Sequence, residues 1–354
     1  MNKVKMSWWA FSEQRSYLMG FAIAMLILFH CCEDYTLLIK GDLFSYVGPL
    51  IGVFIHGIVW IGACGVEIFL FLSGIGLYFS YSNKPLLYNF YKKRLVAILI
   101  PYLIIAIPYL IWQNFSYTNH GFLNFLKDLS LFTTFTKFNR QGWYVALILV
   151  MYLLFPAFFY IIKRYGYKGF ALLEIIFLSL PFLVLFIDER VFNTYQVALT
   201  RIPTFILGVY CGEKVYQKKE RKWFPLIILG IAVLLYVVRH APVSYGKMQT
   251  IFSRYEKAAL TISGLFLISL FLQSFKIVNT KKILNFLAPM TLELYLTSVE
   301  VRRLFSRLFV DCWTISNVTL ACISVVFISI PVANFVHRLA MRLSNYLMQS
   351  SIKA

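Results

Sequence analysis

Apolar residues run along this chain in long unbroken blocks, not in the short alternations that mark half-buried helices or strands. Ten blocks reach or approach the roughly 20 residues that a helix needs to cross a bilayer. They fall at about 17–37, 56–80, 95–114, 143–162, 169–187, 201–216, 223–239, 256–275, 283–304 and 315–336. A helix satisfies its own backbone hydrogen bonds, which hydrocarbon cannot do for it. The pattern therefore predicts an all-α fold: a polytopic integral membrane bundle of about ten transmembrane helices. It forms one transmembrane domain over 1–354, with no separate soluble domain. The sixth block is short and marked by Pro203, Gly208 and Gly212. The apolar, Gly-rich stretch 44–62 predicts a re-entrant or interfacial helix. No internal repeat stands out.

Composition supports this picture. The chain has 354 residues, is 60% hydrophobic and only 14% charged, where soluble domains carry about 25% charged residues. Its 34 Phe and 23 Tyr suit lipid contact and interfacial belts. The first apolar block lacks a small-residue cleavage site, so it reads as a span and not a removable signal.

The net charge of +19 would suggest nucleic acid in a soluble protein. Here the Lys and Arg lie in short loops between apolar blocks, where they set orientation and meet anionic lipid. One set of loops and termini collects 21 of the 34 basic residues, including Lys84, Lys163, Lys214 and Arg338. That bias predicts a multi-pass protein of the cell membrane with both termini cytoplasmic. The six cysteines lack zinc-like spacing and read as packing residues; no metal is expected.

Few residues carry chemistry within the blocks. His30 lies in the outer half of the first, followed by Glu33 and Asp34. An ionisable residue in a span is costly and usually faces the bundle interior or a wet cavity. Imidazole gives and takes protons near neutral pH, although a packed histidine bonded to a neighbouring helix fits its position too. Glu67, in Gly65-Val-Glu-Ile-Phe-Leu-Phe-Leu-Ser-Gly74, is a second buried acid in need of a partner, on a helix whose small residues favour close packing. Lys92-Lys93-Arg94 precede the third block, as a topology anchor or a cradle for phosphates. Arg140, Trp143 and Tyr144 stand where an outer loop enters the fourth block, and Arg201 opens the sixth. Glu293 and Tyr295 lie in the ninth, with Arg302, Arg303 and Arg307 at its outer end as default anchors.

Taken in order, these segments resemble the integral-membrane acyltransferase 3 family of O-antigen, capsule and other glycan O-acyltransferases. The likeness rests on Tyr17-Leu-Met-Gly20 ending in His30, on Gly65 to Gly74, and on Phe90-Tyr-Lys-Lys-Arg94 through Ile100-Pro101-Tyr102. It continues through Trp143-Tyr144 with Tyr152 to Pro156, Arg201 to Gly208, and Leu292-Glu-Leu-Tyr-Leu296. It spans nearly the whole chain. Many members have Arg where this chain has Met19, some have Arg in place of Ala97, and many have His in place of Ser298.

The resemblance implies an acyltransferase that moves an acyl group, acetyl first among candidates, from cytoplasmic acyl-CoA to a hydroxyl of a cell-surface glycan or its lipid-linked precursor. Acyl-CoA is then a co-substrate, and no tightly bound cofactor is expected. His30 is the first candidate for the catalytic residue, with Glu67 and Glu293 behind it. Arg15, Lys92, Lys93 and Arg94 are expected to bind the donor. Arg140, Trp143, Tyr144, Arg201 and Tyr295 are expected to meet the acceptor. The expected partners are the bilayer and these two substrates, with no nucleic acid; a homo-oligomer is compatible with the chain. Two alternatives remain: a glycan or precursor transporter or flippase, which an intramembrane His and Glu would also suit, and a catalytically degenerate member of the family.

Overall fold

The computed structural model describes residues 14–38, 49–62, 64–137, 142–218, 224–241, 245–274, 278–308 and 315–350. Every regular element among them is helical. Among the described residues fifteen α-helices follow one another: α1 (Arg15–Leu38), α2 (Pro49–Gly62), α3 (Gly65–Asn83), α4 (Leu87–Ile111), α5 (Gly121–Leu129), α6 (Phe132–Lys137), α7 (Trp143–Tyr165) and α8 (Tyr167–Ile187). Then come α9 (Glu189–Leu199), α10 (Ile202–Tyr216), α11 (Phe224–His240), α12 (Met248–Ser274), α13 (Val278–Leu287), α14 (Thr291–Leu308) and α15 (Ile315–Ser350). A π-helical turn, Trp112–Tyr117, continues α4.

Among the described residues, six segments have the length and composition to cross a membrane: Arg15–Asp34, Gly65–Asn83, Leu87–Tyr117, Trp143–Tyr165, Tyr167–Ile187 and Ser316–Gln349. They correspond to six of the ten expected blocks. The other four become helices limited by length or by charge. α10 has 15 residues, about 22 Å at 1.5 Å per residue, against a hydrocarbon core of about 30 Å. α11 is apolar but has 17 residues. α12 is long but carries Arg254, Glu256 and Lys257, and α14 carries Glu293, Glu300, Arg302, Arg303 and Arg307. The second expected block also starts later than its hydropathy suggests. Its first residues belong to α2, and the span proper begins at Gly65.

The chain divides into two compact units, each assembled from separate stretches of sequence. The first comprises Met1–Met19, Val66–Tyr91 and Ala146–Leu284. At its centre α3 crosses α10 with their backbones in close approach. A Cβ on Gly208 would lie 2.2 Å from the Phe71 carbonyl oxygen, and one on Gly74 would lie 2.6 Å from the Phe205 oxygen. Neither position admits a larger residue without separating the helices. Around this crossing Tyr81, Phe90, Phe155 and Phe159 pack ring against ring. Asp188 ends α8 and caps α9, accepting from the backbone N–H groups of Arg190 and Val191.

The second unit comprises Gly20–Gly65, Lys92–Val145 and Asn285–Ala354. Gly65 lets the start of α3 approach α1, where a Cβ would meet the Ala22 oxygen at 3.1 Å. Along α4, Pro101 and Pro108 interrupt the helical hydrogen bonding, and the wider π turn follows Pro108. α14 and α15 pack as a pair.

Candidate functional site

Near the C-terminal end of α1 stand His30, Glu33 and Asp34. Spacings of three and four residues put them on one helix face. In the same unit Arg302 of α14 reaches all three. Its Nε donates to Asp34 Oδ2 at 2.6 Å, and its Nη2 donates to Asp34 Oδ1 at 2.5 Å and to Glu33 Oε2 at 3.0 Å. Its Nη1 lies 3.0 Å from His30 Nδ1.

A guanidinium has donors and no acceptor. The Nδ1 of His30 therefore accepts, and the neutral ring holds its proton on Nε2. Glu33 Oε2 also faces Nδ1, but at 3.6 Å, beyond a hydrogen bond. In this arrangement Nε2–H is a donor suited to a developing oxyanion. For Nε2 to act as a base, the proton must sit on Nδ1, with Arg302 turned aside and Glu33 closing the gap. The same four residues thus support both steps of a proton-coupled transfer.

Glu293 of α14 has a different partner. Its Oε1 lies 2.9 Å from Nδ1 of His337 on α15. Glu293 is buried and His337 half-buried. Nine residues separate Glu293 from Arg302 on α14, about 13 Å along the axis. The two histidine–acid groupings of this unit are therefore separate.

In the first unit Glu67 pairs with Arg201, Oε1 to Nε at 3.2 Å. Arg201 Nη1 donates to the Val197 carbonyl at 2.8 Å. This ion pair joins α3 to the start of α10, beside the glycine crossing. Arg254 of α12 interacts electrostatically with both members.

The expected donor-binding residues are distributed over both units. Arg15 belongs to the first, where its guanidinium covers Gly76. Lys92, Lys93 and Arg94 belong to the second; Lys92 Nζ donates to the Leu347 carbonyl, and Lys93 is exposed. Of the expected acceptor residues, Tyr144 and Tyr295 meet edge to face, ring centroids 5.1 Å apart, and both are buried. Trp143 packs edge-on against Tyr144. Arg140 lies outside the described residues.

Arg302 and His337 were not singled out for these roles from the sequence. By sequence Arg302 is one of three default anchors at a helix end, and no pattern marks His337. The available signal was an unpaired acid inside an apolar block, twice over, each requiring a cation from another helix.

A chain whose described residues form only helices, six of them apolar and of membrane length, with ionisable residues paired among them, is an integral membrane protein. The family model of the acyltransferase domain, acyltransferase 3, matches residues 16–334. The chain belongs to that family. No curated protein and no solved structure matches it.

Proposed function

We propose that this membrane acyltransferase moves an acyl group, acetyl in the first instance, from cytoplasmic acyl-CoA to a hydroxyl of a cell-surface glycan or its lipid-linked precursor. The observation that carries this reading is the His30–Glu33–Asp34–Arg302 network in a chain of the acyltransferase 3 family. The acceptor oxygen attacks the thioester carbonyl, a C–O bond forms, the C–S bond breaks, and the hydroxyl proton ends on the departing thiolate. His30 is the residue that handles that proton. Before the attack its Nδ1–H rests on Glu33 and its Nε2 takes the hydroxyl proton. Nε2–H then returns the proton to the sulfur. The direct test supplies purified protein with labelled acetyl-CoA and a candidate glycan. Label on the glycan supports transfer; movement of intact glycan across a vesicle without labelling would replace it with a transporter.

The orientation that this requires has both termini in the cytoplasm, as the loop bias of Lys and Arg favours. Reporter fusions after Arg94 and after Lys222 are expected to read cytoplasmic, and one after Lys247 external. An external signal after Arg94 would overturn the assignment of the first two spans.

The donor's phosphates need cations on the cytoplasmic side. Arg94→Ala is expected to raise the Michaelis constant for acyl-CoA about tenfold or more, the worth of a charge-assisted hydrogen bond, at normal protein abundance. A matching effect of Arg15→Ala would extend the donor site to α1. An unchanged constant in both variants would leave these residues as topology anchors.

A further inference from the structure

Two thiols of the second unit meet beside the His30 network. Cys31 of α1 and Cys322 of α15 share a side-chain hydrogen bond. Both are partly exposed, whereas Cys32, Cys64 and Cys211 are buried. The packing role read from the sequence fits those three. It does not account for two partly exposed thiols, from distant parts of the chain, that meet at their sulfur atoms. They are not the start of a metal centre: among the described residues no group of three or more His, Cys, Asp or Glu could hold an ion.

Their depth along the two helices agrees. Cys31 lies seven residues before Leu38, the end of α1, and Cys322 seven residues after Ile315, the start of α15. Each is about 10 Å from that helix end, at 1.5 Å per residue. In the proposed orientation both of these ends face away from the cytoplasm. The pair then stands toward the side of the membrane where disulfides form and persist.

The contact is also close to the reacting groups. Cys31 follows His30 in the chain and shares a helix face with Asp34. Asp34 acts electrostatically on both sulfurs, and Arg302 on that of Cys31. A bond between Cys31 and Cys322 fastens to α15 the turn of α1 that carries His30. Drawing the sulfurs from hydrogen-bond contact into a covalent bond shifts that turn, and a misplacement of about 1 Å can cost about 10²-fold in rate.

We infer that Cys31 and Cys322 are a redox modification site: an oxidant of the disulfide class links them, and the link reversibly slows the transferase. One thiolate attacks the S–S bond of the oxidant, forms a mixed disulfide and releases the first thiol. The other thiolate then attacks the protein sulfur of that mixed disulfide and releases the second. One S–S bond breaks and one forms. The oxidant is reduced to two thiols, which carry the two protons that the cysteines lose. The link itself is independent of the proposed reaction; only its effect on turnover rests on that reading.

The test uses the full-length protein in detergent, reduced with dithiothreitol, freed of it and incubated with oxidised glutathione. Mass spectrometry of unreduced peptides is expected to find Cys31 joined to Cys322 in most molecules, and dithiothreitol to undo the bond. Cys322→Ser is expected to give no such linked peptide. Wild-type protein alone decides whether the link forms, so this reading does not depend on the folding of a variant. Absence of the link, or a bond to Cys322 from Cys32 in place of Cys31, would overturn the site.

Acetyl transfer is followed on the same samples. Oxidation is expected to lower wild-type turnover about tenfold or more, with recovery on reduction. The double variant Cys31→Ser, Cys322→Ser is expected to keep its rate in the oxidant. A link that leaves turnover unchanged, or an equal loss in the double variant, would overturn the control of activity by this pair. Link formation in a protein that transfers nothing even when reduced keeps the modification site and counts against the proposed reaction.

Discussion

His30→Ala is expected to reduce acyl transfer per folded molecule by about 10²–10⁴, the usual contribution of a positioned acid–base group. A sugar hydroxyl, the proposed acceptor, is a weak nucleophile at neutral pH, and His30 is the group proposed to take its proton. The ring is half-buried near the end of a membrane-length helix, with Glu33 and Arg302 beside it and Asp34 holding Arg302. The measurement must be specific activity, because a packing histidine would show a different result: less folded protein, with normal turnover in what remains. His30→Gln divides the two chemical roles described above. A glutamine amide can donate toward an oxyanion but cannot accept a hydroxyl proton as a base. Activity close to wild type in His30→Gln would leave oxyanion stabilisation as the sole role of the side chain at this position. Loss in both variants, with acyl-CoA still bound, is the result that proton transfer predicts.

The spans that the sequence displayed most clearly are those whose blocks hold few charges. α7 and α8 match their expected limits within a few residues, since Gly166, at a positive φ of 56°, turns the chain between two uninterrupted apolar runs. Hydropathy resolves less well where a break is itself apolar. Nothing polar separates α2 from α3, so the boundary near Gly62–Gly65 is invisible to a block count. It was equally insensitive to α12 and α14, whose charges are paired inside the protein: Glu256 with Arg239 at 3.0 Å, Glu293 with His337, and Arg302 with the acids of α1. A charge that is neutralised by another helix looks, in one dimension, like a charge in a loop.

The same limit explains which part of the site was legible. His30, Glu33 and Asp34 fall within five residues, so helical periodicity alone groups them. Gly74 announced close packing on α3, and α10 crosses it there, at Gly208 and Gly212. The partners that complete each group lie far along the chain. Arg302 is 272 residues from His30, Arg201 is far from Glu67, and His337 is 44 residues from Glu293. Sequence can state that a buried acid requires a cation. Choosing among three arginines at the end of α14 requires the rotation of that helix: position 302 faces α1, whereas 303 and 307 share the face of Glu300.

Replacing Arg302 is expected to give the second large effect, and the choice of substitute decides what is learned. Arg302→Met leaves Glu33 and Asp34 without their cation. At the partial exposure of this network the stability cost is expected to be about 1–3 kcal/mol, between the values for exposed and buried ion pairs. It should appear as a lower melting temperature in detergent. Arg302→Lys keeps the charge and much of that stability, but a lysine ammonium cannot reproduce the fork that meets Asp34 twice while holding Nη1 against His30 Nδ1. As a positioning residue, Arg302 fixes the place of the imidazole and its resting Nε2–H tautomer. Arg302→Lys is expected to fold and to keep the Michaelis constant for acyl-CoA. It is expected to lose about tenfold or more in turnover because the ring is no longer held in place, even though the Nδ1–H form that the base step uses becomes easier to reach. Nitrogen-15 NMR of labelled histidine supplies a readout that a merely structural arginine would not move. Wild-type protein is expected to show the His30 proton on Nε2, and Arg302→Lys a shift of population toward Nδ1–H on Glu33. Wild-type turnover in Arg302→Lys, with the tautomer unchanged, would reduce Arg302 to a charge that holds α14 against α1.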